Sequence, residues 1–408
     1  MTLSSTPSAD RHAPRLLVNG TIHSTAEPYA EAMLVEDGQI AWLGSDETAE
    51  RMDASGLIRE DLDRALVAPA FVGFTSMPLG HGDSADIAAL LDEAQEQGYA
   101  VVRLSLQISV EDLAARGSGA VTAALTRAFH AAAAHPVTAY PVVELAGVQA
   151  DGGAPSIAPV NQLLDLLVPA QEAAGLPAAA LLHLSEVLPN LLGVRSWAAE
   201  AGHQLILAVG DVAAADTVDA MVTTTKHLRE LKQTPRPETP TVLMGFDTAE
   251  RDQWEALLNT GAHVLLSGPG HLATALSVGV PTSAAPPQGQ NPWLLISQHV
   301  HAETDPVSGR AGFNAQTRGA YRSLPQGASG TTALPHAAQA QPGALNLGSP
   351  ATYVVWQVES LAVQAPHSTA AAWSTDTRAR TPLLPYLNTP EEQDRLPRIV
   401  STVIAGSR

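Results

Sequence analysis

Cysteine is absent from the 408 residues, and lysine occurs only twice, at Lys226 and Lys232. Without cysteine there is no disulfide framework, no thiolate metal site and no cysteine nucleophile. A mechanism that needs an amine must use one of those two lysines. Positive charge is outnumbered: 22 Lys and Arg face 41 Asp and Glu, a formal net charge of −19. That balance argues against a nucleic-acid binder, which needs a basic face to displace counterions. It argues equally against a polybasic membrane anchor. No run of eighteen or more uncharged apolar residues occurs, so no transmembrane helix is expected. The opening stretch MTLSSTPSADRHAP is polar and has no apolar h-region. The expectation is therefore a cytoplasmic protein without a secretory signal. Aromatic residues are few while Ala, Gly and Pro are abundant, a bias of coding composition that points to no function.

What is present is organised in three parts. The first part, residues 14–64, holds short β-rich runs, LLVNG and AMLVEDGQIAWLG. Asp37-Gly38 between alternating apolar residues is a hairpin signal. The last part, residues 349–408, is β-rich again, with ATYVVWQVE, LAVQAP and IVSTVIAG. Between them, residues 65–323 alternate short apolar runs with helical patterns, which signals parallel βα units. Eight strands are expected, at 65–74, 100–108, 136–145, 178–186, 204–210, 241–247, 263–268 and 278–284. Helices are expected at Asp83–Gln97, at Asp211–Leu231 and around Trp254, with two more in PWLLISQHVHAE and GRAGFNAQTRGAYRSL. Eight βα units in about this length fit a (β/α)8 barrel. The expected fold class is thus α/β, a TIM-like barrel with a small composite β-sandwich built from both chain ends. Residues 324–348 are rich in Pro, Gly, Ala and Gln and read as a flexible linker.

This layout resembles the amidohydrolase superfamily. LLVNGTIHSTAEPYAEAMLVEDGQIAWLGS resembles the family opening, ALVAPAFVGF its first barrel strand, and GSPATYVVWQVE its closing composite strand. AEAGHQLILAVGDVAAADTVDAM resembles a fifth-strand segment of the imidazolonepropionase-like, actinobacterial-type subgroup. The resemblance implies one or two divalent metals at the carboxyl ends of the strands. The metal lowers the pKa of a bound water, and an Asp takes its proton. Carried over residue by residue, the ligand positions do not hold ligands. Thr75 and Met77 stand for the first-strand His-x-His, Leu181 for the fourth-strand Lys, and Leu207 and Met244 for the fifth- and sixth-strand His. Pro287 stands for the eighth-strand Asp. Thioether, hydroxyl and alkyl groups do not hold zinc as imidazole and carboxylate do. The expectation is a member with its metal motifs lost and no cofactor, a non-catalytic protein that binds a small molecule or a protein partner. A homo-oligomer is compatible with the family. Neither a nucleic acid nor a membrane is expected as a partner.

The alternative is a hydrolase of non-peptide C–N bonds with a rebuilt site at the barrel mouth. Its catalytic candidates are His81, Asp83, His183, Glu186 and Asp211, at or just after expected strand ends, where such barrels carry their chemistry. Glu144 and Asp247 occupy similar places. Each has a plain reading: Asp83, Asp211 and Asp247 suit helix N-caps, His81 a glycine-flanked loop, and His183 a hydrogen-bonded interior position. The other motifs carry less. His299-Val300-His301 lies in an expected helix, where i and i+2 diverge. GPGHLAT at 268–274 lacks a phosphate loop's lysine. No G-x-S-x-G surrounds a serine.

Overall fold

The computed structural model describes residues 13–52, 56–81, 84–148, 158–326, 343–365, 373–374 and 381–405. Both ends of the chain build small sheets. In one, Gln39–Gly44, Ala32–Glu36, Arg15–Val18 and Ile58–Asp61 lie side by side. Asp37 and Gly38 join the first two with φ of 49° and 72°. Both values are left-handed, as a tight hairpin turn matched to strand twist requires. In the other sheet, Arg398–Val403, Tyr353–Gln357, Leu66–Pro69 and Thr21–Ile22 come together. Leu17, Met33, Ile40, Val67, Tyr353 and Val403 share the buried core of this part.

The central sheet is parallel and curled into a (β/α)8 TIM-like barrel. Its strands are β1 (Phe71–Pro78), β2 (Tyr99–Ser109), β3 (Thr138–Ala146), β4 (Ala179–His183), β5 (Gln204–Ala208), β6 (Thr241–Met244), β7 (Ala262–Leu266) and β8 (Thr282–Ala284). They pair in sequence order. Helices such as Ser84–Glu96, Ser118–Ala133, Leu163–Ala174 and Ala214–Glu230 follow the strands and cover the outside. Strands clad in this way are buried on both faces, hence their near-continuous apolar runs. Inside the barrel, Val142, Leu181, Ile206, Val242, Leu265 and Ala285 pack into one cluster. Among the described residues no helix is long and apolar enough to cross a membrane.

The bottom of the barrel is plugged by the helix Arg318–Ser323, whose Ala320 packs with Val72 and Val101. Arg103 is buried in that floor. Its guanidinium donates to Ser323 Oγ at 3.1–3.2 Å, to the Ser323 carbonyl, and to Gln204 Oε1 at 3.5 Å. Burial lowers its pKa to about 10, so it remains a cation at neutral pH.

Four expected elements differ in detail. The run 65–74 is two strands: Leu66–Pro69 joins the terminal sheet and Phe71–Pro78 opens the barrel. The fourth strand ends at His183, where Leu184–Val187 turns helical. The helix expected from Asp211 starts at Ala214. GRAGFNAQTRGAYRSL is two helices, Gly309–Gln316 and Arg318–Ser323, broken at Thr317 with φ −113° and ψ −97°. Of the expected linker, 327–342 lies outside the described residues.

Candidate functional site at the barrel mouth

Alternation along a strand decides which side chains reach the barrel interior. On β1 the inward side chains are Phe74 and Ser76, which line the mouth together. Thr75 faces the helix Ser84–Glu96 and lines a crevice with Leu90 and Ala94. Its Oγ1 is buried without a hydrogen-bond partner. Met77 packs on the outer core. On β5, Leu207 belongs to the outer core, while Ile206 and Ala208 face inward. Leu181 and Met244 are inward, and Pro287 lines the mouth. A one-residue shift in matching a strand exchanges its faces. The inward residues flanking Leu207 are therefore Ile206 and Ala208, and those flanking Thr75 are Phe74 and Ser76.

A polar group spans β2, β3 and β4. Glu144 points inward from β3 and is almost fully buried. Ser105 Oγ donates to its Oε2 at 2.9 Å and Gln107 Nε2 to its Oε1 at 3.0 Å. His183 Nε2, at the end of β4, lies 3.3 Å from the same Oε1. The histidine is thereby oriented by a carboxylate that two other side chains hold in place. Arg103, Ser105 and Gln107 alternate along β2 within apolar residues. That period of two is the sequence signal for an inward polar row, set within a run that is otherwise apolar.

The second group surrounds a cavity of about 540 Å³ between β1, β5, β6, β7 and the chain after β8. Ser76, Asp211, Asp247, Ser267 and Gln288 supply its polar groups. Asp247 Oδ1 accepts the Ser267 N–H at 2.9 Å and Oδ2 the Ser267 hydroxyl at 3.3 Å. Burial raises the Asp247 pKa, and the hydrogen bonds from Ser267 and Gly268 offset part of that rise. A helix-capping role falls away for both aspartates. Ala213 stands at the N-cap after Asp211, and Glu250 forms a capping box with Gln253 after Asp247.

Asp247 is also fixed by its backbone. Its carbonyl accepts the His271 N–H at 2.8 Å, and Gly270 lies so close that a Cβ there would sit 2.2 Å from the same oxygen. Gly270→Ala is expected to lower stability by about 1–3 kcal/mol through overpacking. Denaturant midpoints of the two proteins check this, and an unchanged midpoint would refute the close approach.

The remaining candidates are placed as follows. Glu186 accepts the Gly147 and Val148 N–H groups, both at 3.0 Å, and so ties down the loop after β3. His81 closes the short 3-10 turn Leu79–His81, and Asp83 lies outside the described residues. The structure therefore brings His183 to Glu144 and places Asp211 and Asp247 on the wall of one cavity, while Glu186 serves the loop. His299 and His301 sit at the end of the helix Pro292–Val300, and His301 Nε2 lies 2.9 Å from the Leu387 carbonyl. The GPGHLAT segment is a plain strand-to-helix turn. The Thr274 N–H in its helix is taken by the Asp305 carboxylate at 2.9–3.1 Å.

Structural neighbours of this barrel with its added sheets are members of the amidohydrolase superfamily. One is N-isopropylammelide isopropylaminohydrolase from Burkholderia multivorans ATCC 17616, with a TM-score of 0.59 and 14% identity over 85% of this chain and 92% of that one. Triazine hydrolase from Arthobacter aurescens gives 0.59 and 12%, covering 97% and 94% of the two chains. E. coli guanine deaminase gives 0.57 and 13%, covering 97% of each. At such identities the likeness is one of fold. No protein-family model matches the sequence, and a comparison with curated protein sequences gives no match.

Proposed function

We propose that this protein hydrolyses a non-peptide C–N bond of a small polar molecule at its barrel mouth, with His183 as the proton-transfer group. The Glu144–His183 pair carries the reading. A general base must be held in one orientation within reach of a water or substrate proton, and Glu144, fixed by Ser105 and Gln107, does this for His183. His183 removes a proton from water as the new C–O bond forms. Asp247, whose pKa is raised by burial, is the group suited to return a proton to the departing nitrogen. The choice of a C–N bond draws on the isopropylaminohydrolase, triazine hydrolase and guanine deaminase among the neighbours.

The family's metal chemistry finds little support in this chain's donor set. Phe74, Leu181, Ala208, Met244 and Ala285 are inward near the strand ends, and the ionisable side chains beside them fall into two groups, Glu144 with His183 and Asp211 with Asp247. Among the described residues no group of three or more His, Asp or Glu could hold an ion. The residues present do not fit a metal centre of that kind, and no step is assigned to one.

The same apolar side chains favour a second reading, a binding protein without chemistry. A panel of amides, lactams, amidines and aminoheterocycles separates the two, read by ammonia or amine release and by thermal shift. Turnover is expected, and His183→Gln is expected to reduce kcat by about 10²–10⁴-fold. Turnover unaffected by His183→Gln would refute the assigned role. Thermal shifts with no release from any compound would favour the binding reading. Stoichiometric, chelator-sensitive zinc, iron or manganese in purified protein would overturn the metal-free site.

A further inference from the structure

We propose that the amino-terminal end of the barrel, opposite the mouth, binds a small organic oxyanion, a phosphate ester or polycarboxylate that also carries a hydroxyl group. A cavity of about 960 Å³ opens there, between the starts of β7 and β8 and the helices Gly309–Gln316 and Arg318–Ser323. Arg236, Arg318 and Arg322 line it, and no Asp or Glu is among its lining residues. In a chain with 41 acidic and 22 basic residues, this is a local reversal of charge. The planar guanidinium fork matches carboxylate and phosphate oxygens in pairs. Glu238 lies on the same loop as Arg236 but is exposed and outside the cavity wall.

His263 supplies the second, independent observation. It lines the cavity and is buried on β7. Its Nε2 lies 2.9 Å from Ser283 Oγ, and that hydroxyl donates to the Val264 carbonyl at 3.4 Å. Ser283 engages Nε2 in either tautomer of the ring. Among the described residues no group hydrogen-bonds Nδ1. Burial, and then the charge of Arg103, lower the ring's pKa to about 3, so it stays neutral. A neutral ring nitrogen beside three cations selects a ligand with a hydroxyl, which can donate or accept, as well as an oxyanion. Asn314 and Thr282 are the other polar residues of the lining, the rest is proline, glycine, alanine, valine and leucine, and Leu276 is exposed at the rim.

The probes are citrate and ribose 5-phosphate, titrated calorimetrically into the full chain, with uncharged ribose as the neutral comparison. At least one charged probe is expected to bind with a Kd below about 1 mM, more weakly as sodium chloride rises. Affinity is expected to fall at least tenfold in Arg236→Gln/Arg322→Gln. The same fall is expected in Leu276→Glu, which sets a negative charge at the rim without touching the arginines. Arg51→Gln, on the terminal sheet part, is expected to leave affinity unchanged. Failure of both charged probes to bind would overturn the proposal. So would affinities unaltered in both cavity variants, or ribose binding as tightly as ribose 5-phosphate.

Discussion

Acidification from about pH 6.5 to about pH 4 is expected to cost the protein several kcal/mol of stability, much of it before its carboxylates titrate. Three buried histidines set this window. His23 is lowered to about 4, chiefly by burial, with Arg310 adding to the effect and the Leu383 carbonyl opposing it. His263 is lowered to about 3 by burial and Arg103. His299 is lowered to about 4 by burial, against the pull of Asp305. In the unfolded chain each takes up its proton near pH 6.5, while in the native state each waits until the lower value. Across that interval the unfolded state binds more protons, so stability falls as pH falls, by about 1.4 kcal/mol per unit for each group. Above about pH 6.5 these groups contribute no slope. Denaturant midpoints at about pH 7.5, 5.5 and 4.5 measure the effect, and a flat profile would refute it. His299 has both ring nitrogens buried without a partner. His299→Leu is therefore expected to flatten the slope and to raise the midpoint at about pH 5 above that of the parent protein.

Phe71→Ala is expected to lower the unfolding free energy by about 3–5 kcal/mol. Phe71 is fully buried and meets Tyr99, Trp293, Phe313 and Trp356 edge to face, with ring centroids 5.5–6.4 Å apart. Such pairs add to the stabilisation from burial alone. The five rings come from β1, β2, the helices Pro292–Val300 and Gly309–Gln316, and the terminal-sheet strand Tyr353–Gln357. Removing the central ring leaves a cavity whose walls belong to four separate elements, none of which can close it alone. Phe71→Leu keeps part of the volume and is expected to cost less. Equilibrium denaturation checks the order, and a loss below about 1 kcal/mol for the alanine variant would show that the seam relaxes freely.

Much of the fold was legible because its signals are local. The Asp37-Gly38 hairpin needs two left-handed residues, and the eight apolar runs and their helices follow from periodicity alone. What escaped depends on contacts distant in sequence. Leu66–Pro69 and Phe71–Pro78 look like one run because a single residue separates them, and only pairing with Tyr353–Gln357 assigns the first to another sheet. Both His183 and Glu144 stood out at strand ends, but their pairing depends on which face each strand turns inward. The same ambiguity of one residue put Leu207 where Ala208 faces the interior. The floor formed by Arg103, Gln204 and Ser323 joins residues up to 220 positions apart, beyond any local pattern.

Leu66–Pro69 reaches its neighbour Tyr353–Gln357 only across about 290 residues of chain, and that neighbour is covered in turn by Arg398–Val403. At about 5–20 residues per second of synthesis, the strand leaves the ribosome roughly 15–60 s before its partner exists. Through that interval an apolar strand edge is open to pairing with other chains. Ala70 alone separates it from the first stave of the barrel. In the cell, the hazard to this protein lies in the order of manufacture, and a chain released before Arg398–Val403 is made would keep an uncovered strand for its whole lifetime.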